Sequence, residues 1–141
     1  MKKSTFILIF LIACCVNSLS ASAKKGNGQV YLFGFAASFS DTIVYFTDIQ
    51  SVQNVELQKK TKFLPARSSY SSQLKTYVDD KHLLDNSTCA VFFAPTRAKL
   101  EKKYLKMRRK YTNDKDLTVK FLGADAFTFQ TVKQITDGES N

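Results

Sequence analysis

Between Arg97 and Lys110 the chain carries eight basic side chains (Arg97, Lys99, Lys102, Lys103, Lys106, Arg108, Arg109 and Lys110) against a single acid, Glu101. The chemistry such a run offers is anion binding, toward phosphate-bearing polymers, acidic glycans or an anionic membrane surface. Its plainer reading is a solvated outer face, with the last cations favoured by the helix dipole. Leu100, Tyr104, Met107 and Tyr111 recur at i, i+4, i+7 and i+11, which predicts a helix over 96–111 with Pro95 at a first helical position and Leu105 widening the stripe. That stripe must turn inward. The expected anion contacts are therefore Lys99, Lys102, Lys103, Lys106 and Lys110.

Other candidate groups are sparse. The one histidine, His82, follows Lys81 at an expected helix end, where a charge partner is the ordinary role. Cys89 lies in an apolar run, where a thiol behaves as a small hydrophobe. A Cys89–His82 nucleophile pair would need a third group to orient it, and the sequence supplies none. Asp79-Asp80 and Asp114/Asp116 sit in polar turns and read as cap and turn chemistry. Asn86-Ser87-Thr88 matches the N-glycosylation triplet, which means little in a cell without that machinery. No P-loop, GxSxG, HExxH or GxGxxG is present, so no enzyme and no cofactor is expected. One His and three Cys are too few for most zinc sites, and no metal is expected.

The elements that must position these groups are legible in outline. The 141 residues are 44% hydrophobic and 13% aromatic with only 5 Gly and 2 Pro, enough apolar matter for one packed domain. VYLFGFAASF (30–39) is apolar on both faces, which predicts a strand covered on both sides, and Gly34 invites the close approach of a helix or a ring. IVYFTDI (43–49) follows a short polar break and should pair with it as an antiparallel hairpin. Residues 50–67 are polar and carry no clear pattern. Ser68-Ser69 offers an N-cap to a helix over 69–80, with Tyr70, Leu74, Tyr77 and Val78 at helical spacing. TCAVFFA (88–94) reads as a central strand, and LTVKFL (117–122) alternates as another. Strand, basic helix and strand make a βαβ unit, hence a parallel pair. Phe127 and Phe129 mark a short edge element or a packed tail. The order ββαβαβ predicts an α/β fold of the α+β two-layer kind, one mixed sheet with both helices on one face. An aromatic set on it (Tyr31, Phe33, Phe35, Phe39, Tyr45, Phe46, Phe92, Phe93) reads as core, since an open stacking platform would show polar alternation.

Lys2 and Lys3, the uncharged run 5–16 and Ala21-Ser22-Ala23 have the three-part layout of a secretory signal peptide over 1–23. Residues 24–28 read as a flexible leader, 29–135 as the domain, and 136–141 as a frayed tail. Processing after Ala23 lowers the formal charge from +9 to +7, with 19 basic and 12 acidic residues on 118, and leaves Cys89 as the only thiol. No second hydrophobic span follows, so no transmembrane segment is expected in the mature chain. Leu11-Ile12-Ala13-Cys14 resembles a lipobox, the alternative processing signal, which would anchor the chain through a lipid on Cys14.

Read together, the signal peptide, YLFGFAASFSDTIVYFTDIQ and KKYLKMRRKY make the chain resemble small exported proteins of unknown function from Bacteroidetes-type bacteria. That resemblance implies the envelope, periplasm or cell surface, and brings no site residues. Residues 88–122, a strand leading into APTRAKLEKK and a second strand, look like the later half of a SPOR-type peptidoglycan-binding domain, although the opening two strands depart from it. The resulting expectation is an exported, non-enzymatic binding or structural accessory domain. The sequence names no ligand for it. The alternative reading is a SPOR-like binder of peptidoglycan or another anionic envelope polymer, such as an acidic glycan, through the basic helix 96–111, and an envelope protein is the other partner class. Nucleic acid is not expected beside an export signal.

Overall fold

The computed structural model describes residues 28–133; the expected signal peptide 1–23, the leader apart from Gly28, and the tail 136–141 lie outside the described residues. Strands β1 (Gln29–Ala37), β2 (Ile43–Thr47) and β3 (Gln50–Gln53) lead into helix α1 (Arg67–Asp80), then β4 (Thr88–Ala94), helix α2 (Arg97–Thr112) and β5 (Thr118–Leu122). One mixed sheet of five strands and two helices results, the α+β class expected.

β1 organises it. The expected hairpin forms, with Phe35 opposite Phe46 and Ala36 opposite Tyr45. Along the same edge β3 continues, with Leu32 opposite Gln50 and Gln29 opposite Gln53, a register shifted by one residue from that of β2. The extra residue at Asp48-Ile49 is a bulge in one bent strand. Where it interrupts the ladder, Thr47 Oγ1 accepts the Gly34 N–H at 2.8 Å and donates to the Asp48 carbonyl at 2.9 Å. β4 pairs antiparallel along the other edge of β1, from Thr88 opposite Ala37 to Ala94 opposite Tyr31. β5 runs parallel to β2.

Several expectations are corrected. β4 and β5 do run in the same direction, but β1 and β2 separate them, so they are not a pair. Among the described residues β4 pairs with β1 alone and is an edge strand, not a central one. It is apolar because helices cover both its faces, not because both its edges are paired. The helices do not share a face of the sheet. Leu32 and Ala36 pack in one core with Tyr70, Leu74 and Val78 of α1, whereas Phe33 packs in a second core with Leu100 and Tyr104 of α2. Successive strand residues point to opposite faces, so β1, apolar on both, takes one helix on each. Leu105 does not widen the buried stripe of α2; its side chain is 48% exposed. Pro95 precedes the N-cap, Thr96, whose hydroxyl accepts the Lys99 N–H at 3.3 Å. α1 begins at Arg67, two residues before the expected start and without a side-chain cap.

The segment after β5 forms no strand. It is the packed tail, with Phe127 and Phe129 buried against Tyr77 and Tyr70. Side-chain amides replace a ladder there. Gln50 donates to the Phe127 carbonyl at 2.9 Å and accepts the Phe129 N–H at 2.8 Å, and Gln73 holds both backbone groups of Gln130 at 2.8 Å. Gly34 meets the helix and a ring together: a Cβ there would lie 2.5 Å from Leu74 Cδ2 and 3.1 Å from Phe129 Cζ.

Candidate anion-binding site

α2 sits on the sheet through Leu100 and Tyr104, both buried, and through half-buried Met107 and Tyr111. At 3.6 residues per turn, Lys99, Lys102, Lys103, Lys106 and Lys110 fall within an arc of about 100°, adjoining that apolar stripe on one side. All five line a single groove of about 940 Å³, together with Phe93 and Ala94 of β4 and Leu100 and Met107 of α2. All five are exposed, as the sequence placed them, and they border the flank facing β4, where the wall is apolar; Lys102, Lys106 and Lys110 also line an outer hollow with Leu105, Arg109 and Asn113. Lys103 Nζ stands 4.7 Å from the centroid of the Phe92 ring.

The arginines on the opposite flank do other work. Arg108 stacks 4.5 Å over Phe121, and the Arg97 guanidinium donates to the Ile49 carbonyl at 3.5 Å. Among the described residues the one ion pair is Lys75–Asp79 on α1, at 2.9 Å. None of the cations of α2 has a carboxylate partner there. Five lysines bordering one groove without neutralisation raise the local concentration of anions, and stems lying on apolar walls limit their freedom.

The other candidates are placed apart from this groove and have structural duties. His82 takes the left-handed conformation, φ 50°, just beyond α1. Its N–H bonds the Asp79 carbonyl and the Leu83 N–H bonds that of Val78, both at 3.0 Å, the two bonds of a Schellman cap. Glycine is the residue this position favours. His82→Gly is therefore expected to raise unfolding stability by about 0.5–1 kcal/mol in a urea titration; a loss of stability would show that the imidazole makes contacts of its own.

Cys89 is half-buried, and burial pushes its thiol up, with the nearby Asp79 carboxylate adding to the shift and the charge of Lys75 opposing it. Thiol protonation suppresses nucleophilicity. The folded protein is expected to react with iodoacetamide at pH 7.5 more slowly than free cysteine, the rate rising as pH passes 9. Rapid labelling without denaturant would instead mark an activated thiol.

Sequence reasoning missed the group beside Cys89. Lys75 Nζ donates to Asp79 Oδ2 at 2.9 Å and to Ser87 Oγ at 3.2 Å, while the buried Ser87 hydroxyl donates to Asp79 Oδ1 at 3.0 Å. The i,i+4 spacing of Lys75 and Asp79 was readable, but Ser87 joins them only through the packing of α1 on β4. A serine beside a lysine suggests nucleophilic catalysis. Here the serine oxygen faces a donor, and its proton goes to a carboxyl held below its usual range chiefly by the Lys75 hydrogen bond. A carboxylate so stabilised is a poor base. The cluster ties α1 to the start of β4. Asp114 is a turn residue, its Oδ1 accepting the Asp116 N–H at 3.0 Å.

Of the aromatic set, Phe33, Phe46 and Tyr45 are core, whereas Phe39 is fully exposed. Among the described residues no group of three or more His, Cys, Asp or Glu could hold a metal ion, and no helix is long and apolar enough to cross a membrane. No protein-family model, curated protein or solved structure matches the chain, so the likenesses to small exported proteins and to SPOR-type domains gain no support there.

Proposed function

We propose that the protein is an exported, non-enzymatic binding domain that holds an anionic polymer of the cell envelope, peptidoglycan or an acidic glycan, in the lysine groove of α2. The observation that carries this reading is the gathering of Lys99, Lys102, Lys103, Lys106 and Lys110 along one groove with no acidic partner among the described residues. A merely solvated face would scatter its charges around the helix and pair some of them. Here the lysines gather on one flank, and the two arginines of the other flank pack against β5 and Ile49. A groove open along the helix suits a polymer running past it, and repeated weak contacts to lysines suit a repeating charge.

Cosedimentation with purified sacculi tests this. The protein should pellet with sacculi at low ionic strength and be released near 1 M salt, where screening shortens to about 3 Å. Protein that stays in the supernatant at low salt overturns the reading.

A further inference from the structure

The face of the sheet under α2 is unevenly filled. Toward α2, β1 presents Tyr31, Phe33, Phe35 and then Ala37, and the opposed residues of β4 are Ala94, Phe92, Ala90 and Thr88. Large rings therefore give way to small side chains at the end where β1 leaves the sheet. Above that end α2 no longer closes: Leu100 and Tyr104 are buried, but Met107 and Tyr111 are only half-buried. The space left is a cavity of about 460 Å³, walled by Phe35, Val44, Phe92, Met107, Tyr111 and Leu117. Its size and apolar lining are those of a small-molecule site. The exposed ring of Phe39 stands at its edge.

Two cations stand against this cavity. Lys103 Nζ lies 4.7 Å from the Phe92 centroid and Lys110 Nζ 5.8 Å from that of Tyr111, and both rings line the space. Met107 lines both the cavity and the lysine groove, so the two adjoin. The one acid in the lining, Asp41, accepts the Ile43 N–H at 3.0 Å in the turn between β1 and β2. An apolar chamber with ammonium groups on one flank matches an amphiphile with a hydrocarbon chain and a negative head. An acidic polymer alone would leave the chamber unfilled.

We propose that this cavity binds the chain of a long-chain carboxylate, with the carboxylate held by Lys103 and Lys110. The inference rests on the reading of the lysine flank as an anion site and adds the second half of its ligand. The chain displaces water from the rings and the two alanines, while the head stays at the wet mouth where the lysine stems already lie.

The test is calorimetric titration of the protein with octanoate, decanoate and dodecanoate below their micellar concentrations. Affinity should rise about fourfold for each added methylene while the chamber fills, and dodecanol should bind at least tenfold more weakly than dodecanoate. Ala90→Phe, which fills the chamber, should abolish dodecanoate binding while cosedimentation with sacculi persists. Lys103→Glu combined with Lys110→Glu alters only exposed side chains and should weaken dodecanoate at least tenfold, which decides the matter even if Ala90→Phe fails to fold. An affinity flat with chain length, dodecanol binding as tightly as dodecanoate, or either variant folding and binding dodecanoate unchanged overturns the inference. Sacculi bound without dodecanoate overturns it and leaves the polymer reading standing. Dodecanoate bound without sacculi supports it and removes the polymer.

Discussion

Phe33→Ala is expected to cost about 3–5 kcal/mol of folding stability, the range for truncating a buried phenylalanine where the surroundings cannot collapse. Phe33 is fully buried, and its ring meets those of Phe92 at 5.2 Å, Tyr104 at 4.9 Å edge-on and Phe46 at 6.4 Å. Those partners come from β4, α2 and β2, so the cavity left behind is walled by three elements whose positions other contacts fix. Domains of this size hold only about 5–15 kcal/mol in total. The thermal midpoint should therefore fall by at least about 12 °C, and urea unfolding should shift without a change of slope. Phe39→Ala, at a fully exposed ring, is the control and should stay within about 0.5 kcal/mol. A loss below 1 kcal/mol at Phe33 would mean that α2 does not seat on this face as described.

Why α2 covers that face, and α1 the other, marks the limit of what the sequence could yield. The double-sided apolarity of β1 was plain, and so were the stripes of both helices. A stripe says that a helix buries one side; it does not say which face of the sheet receives it. That depends on where β4 pairs, and β4 pairs with β1 through register contacts more than fifty residues apart in the chain. β3 was unreadable for a related reason. Gln50-Ser51-Val52-Gln53 has no strand composition of its own, yet Val52 is buried and Gln50 holds the tail. It is a strand because β1 has an edge to offer there. The tail ended as packed coil because two glutamines already take its backbone groups.

The candidate site divides in the same way. Helical spacing alone gave the five lysines and the inward stripe. The same spacing puts Arg97 and Arg108 on the other flank; the apolar wall of Phe93 and Ala94 came from β4, and the contacts of those arginines with Ile49 and Phe121 came from the packing of α2 on the sheet. Small residues at positions 37 and 90 carried no signal in the sequence, because an alanine in a strand announces nothing until its opposite number is known to be small as well.

Reversing three charges of the groove should have the largest effect on binding. In Lys102→Glu, Lys103→Glu, Lys106→Glu, three attractions to a polyanion become three repulsions. At about 0.5 kcal/mol for each exposed contact the swing is about 3 kcal/mol, roughly a hundredfold in affinity. All three side chains are exposed and lack acidic partners among the described residues, so removing them breaks no ion pair of the fold. The variant should therefore unfold within about 0.5 kcal/mol of the parent protein for each substitution. Arg108→Gln removes a cation from the same helix but from the flank stacked on Phe121, and should change sacculus binding by less than threefold. The comparison separates a located groove from bulk charge. If Arg108→Gln weakens sedimentation as much as one lysine replacement in the groove, net charge alone drives the association and the groove has no special part in it.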